Sequence, residues 1–109
     1  MIARTWRAQA SPGTADAYAA HFAGSVVPAL AALPGHRGAK LLRREVDGRV
    51  EFLAVTFWES RAAIEAFAGK DIGRAHVEPQ GRAALSAFDD FADHYEVAVT
   101  SAGVADKCP

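Results

Sequence analysis

The fold is decided by the stretch AKLLRREVDGRVEFLAVTFW, residues 39–58, in which two largely apolar runs flank the dipeptide Asp47-Gly48. This dipeptide favours a two-residue type I′ turn, because both central positions of such a turn need a positive φ. The turn predicts a β-hairpin and sets its register, which places Leu42 opposite Leu53.

The two predicted strands carry apolar side chains on both faces, since neighbouring residues of a strand point to opposite faces. Phe52 and Trp58 belong to one face, whereas Leu53 and Phe57 belong to the other. An antiparallel sheet with one solvated face normally alternates apolar and polar residues. The helices of a short chain cover only one face, so we expect a second copy of the chain to cover the other face as a homodimer.

The segments around the hairpin complete a β-α-β-β-α-β order. The predicted elements are a strand over residues 2–10, a helix over 15–32, the hairpin, a helix over 61–68, a short helix opened by Pro79 and a last strand over 91–100. Thr14 and Ser60 are the predicted N-caps of the two longer helices. This order predicts an α+β fold of the ferredoxin-like type, with an antiparallel sheet and helices on one face.

The composition indicates one globular domain. The chain has 109 residues, of which 50% are hydrophobic and 23% charged, and its formal net charge is −1. This charge gives no reason to expect nucleic acid, and no apolar run reaches the length of a signal peptide or a membrane span. The single Cys108 excludes a disulfide framework and is typical of the reducing cytoplasm. We expect residues 1–99 to form the domain and residues 100–109 to form a flexible tail.

Four features resemble the antibiotic biosynthesis monooxygenase superfamily over roughly residues 1–99. They are the first strand followed by PGT, the hairpin that runs into FLAVTFWES, the helix RAAIEAFAGKDI, and HYEV at the end of the sheet. The resemblance implies a homodimer whose two sheets pack face to face as a dimeric α+β barrel. This implication agrees with the hairpin that is apolar on both faces.

The resemblance brings two activities into comparison. Quinone-forming members oxidise polycyclic phenols with O₂, using the Trp of W-E-S, an Asn on the same strand face, a Tyr on the next helix and an Arg. This chain has Trp58, but Ala54 stands at the Asn position and Ile64 at the Tyr position, while Arg74 and Arg82 are candidates for the Arg.

Haem-degrading members use an Asn on the first strand, a Trp on the second helix and a His soon after it. These positions fall on Trp6, Phe67 and, if one residue is deleted, His76. Two of the three haem-degrading residues are therefore replaced. The resemblance implies that no cofactor is needed, that O₂ is the co-substrate, and that haem is disfavoured.

We expect one apolar cavity between the sheet and the helices to bind the ligand. The expected substrate-binding residues are Trp6, Phe52, Ala54, Ile64, Phe67, Tyr18 and Phe22. The expected catalytic residues are His76, Trp58 and Arg74. The imidazole of His76 titrates near neutral pH and suits removal of a proton from a phenol, and Arg74 suits an anionic oxygen. Strand alternation also places Arg4 and Arg43 on the cavity face, either extending to the rim or meeting substrate oxygens.

The resemblance implies a cofactor-independent monooxygenase that oxidises an electron-rich aromatic, such as a phenol or an anthrone. A binding module that holds a small hydrophobic ligand without turnover is the alternative, because the fold does not decide between them. We expect no metal site, because the histidines His21, His36, His76 and His94 lack the spacing of metal ligands and no carboxylates cluster with them.

Overall fold

The computed structural model describes residues 1–75 and 77–101 of the chain. The strands are β1 (Ile2–Ala10), β2 (His36–Val46), β3 (Arg49–Trp58), β4 (Ala87–Phe88) and β5 (Asp93–Glu96), and the helices are α1 (Pro12–His21), α2 (Val27–Ala31), α3 (Arg61–Ala68) and α4 (Pro79–Ala84). The predicted base His76 and most of the predicted tail lie outside the described residues.

The sheet is antiparallel and has the strand order β2-β3-β1-β4, with β5 also paired to β1. β1 therefore lies in the middle, with the hairpin on one side and the two short last strands on the other. This arrangement confirms the predicted ferredoxin-like α+β fold. None of the helices in the described part of the chain is long and apolar enough to cross a membrane.

The predicted hairpin and its register are confirmed. Leu42 lies opposite Leu53, and the turn residues Asp47 and Gly48 have φ angles of 50° and 76°. These positive angles are the ones that a type I′ turn requires. Local turn chemistry alone thus positions the strand that forms half of the cavity floor.

The predicted start of the first helix is wrong by three residues. The helix begins at Pro12, because the carbonyl of Ser11 accepts hydrogen bonds from the backbone N–H groups of Thr14 and Ala15 at 3.1 and 3.0 Å. Thr14 is therefore inside the helix, whereas Ser60 is the cap that was predicted: its hydroxyl accepts from the Ala63 N–H at 3.2 Å.

A π-helical turn over Phe22–Val26 joins α1 to α2. Pro28 follows directly and has no N–H to donate to the carbonyl four residues earlier, which disfavours a regular helix there. Wider turns of this kind often accompany such interruptions and functional sites. The turn keeps Phe22 and Leu30 buried on the same side of the helix.

The predicted last strand over residues 91–100 is shorter in the structure, where β5 spans only Asp93–Glu96, and the two-residue strand β4 (Ala87–Phe88) precedes the predicted range. Between them, the Ala92 N–H donates to the Gly73 carbonyl at 2.7 Å, and the Ala75 N–H donates to the Asp90 carbonyl at 2.8 Å. Residues 90–92 therefore pair with the link between α3 and α4 instead of with β1. This pairing ties that link to the edge of the sheet.

The helices cover one face of the sheet and leave the other face open. Phe52 and Trp58 are buried on the covered face. On the open face, Leu42 is 49% exposed and Tyr95 is 57% exposed. The two faces of the hairpin thus differ in the single chain, as the alternation in its sequence predicts.

Candidate functional site

A cavity lies between the covered face of the sheet and the helices. The floor, on β1 and β3, is formed by Arg4, Trp6, Ala54 and Thr56. The helical wall, on α1 and the segment that continues it, is formed by Tyr18, His21, Phe22, Val26 and Leu30. The remaining wall is formed by Phe67, Val77 and Glu78. Strand alternation selects the floor residues, and helical spacing selects those of the helical wall.

The cavity is small, with a volume of about 50 Å³. Pockets for drug-sized ligands measure roughly 300–1,000 Å³, whereas a few water molecules fill a space of this size. A polycyclic ligand therefore enters only if a wall moves outward. Val77 and Glu78 belong to the part of the wall that has no regular secondary structure.

The indole of Trp6 forms one side of the cavity and is held in place. Its Nε1–H donates to the carbonyl of Asp89 at 2.7 Å. Its ring lies 5.9 Å from the ring of Phe88, centroid to centroid. The aromatic surface of Trp6 is thus already positioned for a planar ligand.

Helix α4 packs closely on the other side, where Gly81 meets α1. A Cβ at Gly81 would lie 3.1 Å from Cδ2 and Nε2 of His21 and 3.3 Å from Cε1 of Tyr18. Burial, together with the charge of Glu78, raises the pKa of Tyr18 to about 12. The Tyr18 hydroxyl therefore stays protonated at neutral pH and suits hydrogen-bond donation to a ligand.

Arg4 is buried on the cavity floor, with only 6% of its surface exposed. Its Nη2 donates to the carbonyls of Arg74 at 2.9 Å and Ile72 at 3.4 Å, and its guanidinium lies 5.5 Å from the ring centre of Phe67. Burial lowers the pKa of Arg4 to about 10, so the side chain is still charged at neutral pH. Of the two positions that the sequence left open for Arg4, the rim is excluded.

The structure brings five of the predicted substrate-binding residues to the cavity. They are Trp6, Tyr18, Phe22, Ala54 and Phe67. Two others, Phe52 and Ile64, do not reach it and are sealed in the core. Phe52 contacts Tyr18 from behind, with their ring centroids 5.2 Å apart, and Ile64 packs with Leu30 and Trp58.

The predicted position of Trp58 at the cavity needs correction. The side chain is fully buried, and its indole N–H donates to the Thr56 hydroxyl at 2.8 Å. Phe67 stacks on the indole, with a centroid distance of 6.0 Å. Phe67 therefore lies between the cavity and Trp58, and Trp58 supports the cavity indirectly by packing behind Phe67.

The predicted position of Arg74 at the cavity needs the same correction. Its side chain is on the outer surface, where the guanidinium lies 5.6 Å from the ring centre of Phe91. A backbone bridge between these two residues fixes that arrangement. Only the carbonyl of Arg74 contributes to the site, by accepting the hydrogen bond from Arg4. His76 lies outside the described residues, and its role stays a prediction.

Sequence reasoning did not assign six of the lining residues to the cavity: His21, Val26, Leu30, Thr56, Val77 and Glu78. Thr56 had a usable signal, because it shares a strand face with Ala54. Val77 and Glu78 had none, since they belong to a link without periodicity. Within residues 1–75 and 77–101, no group of three or more His, Cys, Asp or Glu side chains is placed to hold a metal ion.

Comparison with known proteins identifies a family. Residues 1–79 match the family described as antibiotic biosynthesis monooxygenase. A Bacillus cereus protein provisionally classed with these monooxygenases has a similar structure, with a TM-score of 0.63, 20% identity, and coverage of 94% of this chain and 96% of that one. None of the curated proteins is similar enough in sequence to count as a match.

Two further similar structures are complexes of MhuD, a haem degrader. MhuD from Mycobacterium tuberculosis with two haems in its active site has a TM-score of 0.62 and 24% identity, covering 93% of this chain and 99% of that one. A MhuD variant with two manganese protoporphyrin IX molecules per active site has a TM-score of 0.65 and 25% identity, covering 94% of this chain and 100% of that one.

The MhuD complexes contradict the expectation that this fold works without a cofactor, because a similar chain holds porphyrins in its active site. In this chain, the residues that the structure describes do not fit a porphyrin as they stand. The cavity of about 50 Å³ is too small for the macrocycle. The described histidine on its wall is His21, whose Nε2 lies beside Gly81 of α4.

Proposed function

The chain belongs to the antibiotic biosynthesis monooxygenase family, and we propose that it uses O₂ to oxidise an electron-rich aromatic, such as a phenol or an anthrone. The observation that carries this proposal is the composition of the cavity wall. The cavity is lined by four aromatic rings, those of Trp6, Tyr18, Phe22 and Phe67, and the small side chain of Ala54 leaves space between them. Such a wall favours a flat ring, because aromatic pairs are stabilised by stacked and edge-to-face contacts.

The chemistry requires the substrate to lose a proton before it gives electrons to O₂. When a phenol becomes a quinone, the ring loses two hydrogens and gains one oxygen atom, and the second oxygen atom leaves with those hydrogens as water. The protein contributes by holding the ring in position and excluding bulk water. His76 or a bound water is the proposed acceptor of the phenolic proton.

Oxygen consumption tests this proposal. Hydroxynaphthalenes and anthrones are added to the protein with chelated metals, in parallel with and without added haem, and O₂ uptake is recorded. We expect uptake of one O₂ per quinone formed. Binding of the same compounds without uptake in either series would contradict the proposed reaction.

That contradicting outcome would favour a binding module of the same fold. The specific observation for this second candidate is that Ala54 and Ile64 stand at the positions of the Asn and Tyr of quinone-forming relatives. A third candidate, haem degradation, is favoured by the likeness to MhuD. A haem titration separates it, because a shifted Soret band that fades under reductant would be its signature.

The open face of the sheet supports a homodimer as part of the proposal. Leu42 and Tyr95 are about half exposed there, and Leu53, Val55 and Phe57 on the same face are partly buried in the single chain. Burying apolar surface of this kind contributes roughly 25 cal/mol per Å². A second copy presents the same surface, which makes a symmetric face-to-face contact self-complementary.

Leu42→Asp is expected to convert the dimer to a monomer. The aspartate would be buried without a partner against the apolar face of the second copy, whereas in the monomer it stays solvated. Sedimentation velocity at several concentrations should show at least a tenfold rise in the dimer dissociation constant. Val99→Asp is the matched control, because Val99 is exposed but outside the sheet. A wild-type chain that sediments as a monomer would contradict the dimer.

A further inference from the structure

We propose that Arg4 binds an anionic oxygen of the ligand, so that the cavity takes an aromatic acid or a phenolate in preference to a neutral aromatic. The proposal deepens the function proposed above and rests on the same cavity. It does not require turnover, because an anionic ligand can bind without being oxidised. The experiment below separates the two.

The first step is the contrast between Arg4 and the arginines at the surface. Arg37, Arg43 and Arg44 are solvated, and each forms an ion pair with a carboxylate. Only 6% of the surface of Arg4 is exposed, and Arg4 has no ion pair with any carboxylate of the described residues. Buried charges in proteins are normally paired, since removing an ion from water is costly.

The second step is what surrounds the guanidinium. Its Nη2 donates to two backbone carbonyls, and the ring of Phe67 lies against it. These partners orient the group but carry no negative charge. Its Nε is buried and has no hydrogen-bond partner among the described residues. A positive charge that is fixed in place and not neutralised, on the wall of a cavity, suits an anion from outside the chain.

The third step is the neighbouring titratable groups. His94 pairs with Arg4 across the strands, and its Nε2 is also buried without a partner in the described part of the chain. Burial, and then the charge of Arg4, lowers the pKa of His94, so this residue adds no second positive charge, and a neutral imidazole does not neutralise Arg4. An unprotonated His94 remains a hydrogen-bonding group beside the proposed anion site.

Glu78 is the carboxylate on the cavity wall and the internal competitor for Arg4. It lines the cavity together with Tyr18 of α1, and its charge raises the pKa of Tyr18. No ion pair joins it to Arg4 in this structure. A ligand that displaces Val77 and Glu78 outward would remove this carboxylate further from Arg4 and leave the anion site to the ligand.

An anion bound at Arg4 would receive charge-assisted hydrogen bonds from a buried guanidinium, and such bonds are strong away from bulk water. The same interaction favours loss of the proton from a bound phenol, because it stabilises the phenolate. The proton passes to a base or to water, and no electron is transferred in this step. Arg4 would then contribute to both affinity and reactivity.

The test compares 2-naphthoate with 2-naphthamide, a neutral analogue of nearly the same shape, by isothermal titration calorimetry. In Arg4→Met, we expect the dissociation constant for 2-naphthoate to rise at least tenfold and that for 2-naphthamide to change less than twofold. Arg4→Lys should retain most of the preference for the acid. Glu78→Gln should bind 2-naphthoate as tightly as the wild type, or more tightly.

A second measurement distinguishes phenolates from carboxylates and guards against a misfolded variant. The absorbance of bound 2-naphthol reports its ionisation, and we expect it to ionise at a lower pH in the wild type than in Arg4→Met. The melting temperature of ligand-free Arg4→Met shows whether the variant is folded at the temperature of the titrations, because the change removes the hydrogen bonds to Ile72 and Arg74 as well as a buried charge.

Equal weakening of both naphthalene ligands in Arg4→Met would overturn the proposal, since Arg4 would then only shape the cavity. A wild type that binds neither ligand would overturn it as well. If 2-naphthoate binding depends on Arg4 but no phenol or anthrone supports O₂ uptake, the anion site stands and the proposed monooxygenase activity fails.

Discussion

Trp58→Ala is expected to lower the free energy of unfolding by about 3–5 kcal/mol, the range found when large buried aromatic side chains are truncated. The indole is fully buried, with Phe67 stacked on it and the ring of His36 edge-on at a centroid distance of 5.0 Å. Its removal would leave a void at the junction of β3, α3 and the start of β2. Phe67 would lose its support, so ligand binding should weaken as well.

Urea denaturation followed by far-ultraviolet circular dichroism measures this loss. Thr56→Val is the matched control, because it keeps the ring packing but leaves the indole N–H without its acceptor. We expect a cost of about 1–3 kcal/mol for that change, as for other unsatisfied buried donors. A Trp58→Ala variant within about 1 kcal/mol of the wild type would show that the indole is not a main support of this core.

Ala54→Leu is expected to weaken ligand binding at least tenfold while leaving the chain folded. Ala54 is on the cavity floor, and a leucine side chain there would occupy space that the ligand needs. The added methyl groups fill a void instead of a packed region, so the strain typical of overpacked cores should be small. The dissociation constant for 2-naphthol should rise at least tenfold, which corresponds to about 1.4 kcal/mol.

Calorimetry gives the affinity and thermal unfolding gives the stability of the same samples. Ala62→Leu is the control, because Ala62 is exposed on α3 and receives the same change in side chain away from the cavity. Unchanged binding by Ala54→Leu would place the ligand elsewhere. A large loss of stability would instead show that the space above Ala54 is packed and not open.

The parts of the fold that the sequence predicted depend on local chemistry. The Asp47-Gly48 turn needs positive φ angles and therefore sets the hairpin register whatever surrounds it. Ser60 caps α3 through a hydrogen bond to Ala63, three residues along the chain. The faces of β1 and β3 follow from strand alternation, which placed Trp6, Ala54 and Arg4 on the cavity side.

The parts that the sequence did not predict depend on contacts between distant residues. The last strand begins only at Asp93 because the Ala92 N–H donates to the Gly73 carbonyl, and no pattern near Ala92 indicates that partner. Trp58 shares a face with Ala54, but alternation does not reveal that Phe67 separates it from the cavity. Similarly, the sequence left Arg4 either at the rim of the cavity or facing substrate oxygens, and its burial depends on hydrogen bonds to the distant carbonyls of Ile72 and Arg74.

The central claim is that a flat aromatic ligand binds between the sheet and the helices, and intermolecular nuclear Overhauser effects test it most directly. With 2-naphthol bound to the wild-type protein, we predict effects between the naphthalene protons and the side chains of Trp6, Tyr18, Ala54 and Phe67. Effects to Leu42 and Leu53 on the open face, or the absence of effects to the cavity residues in a saturated sample, would contradict the account.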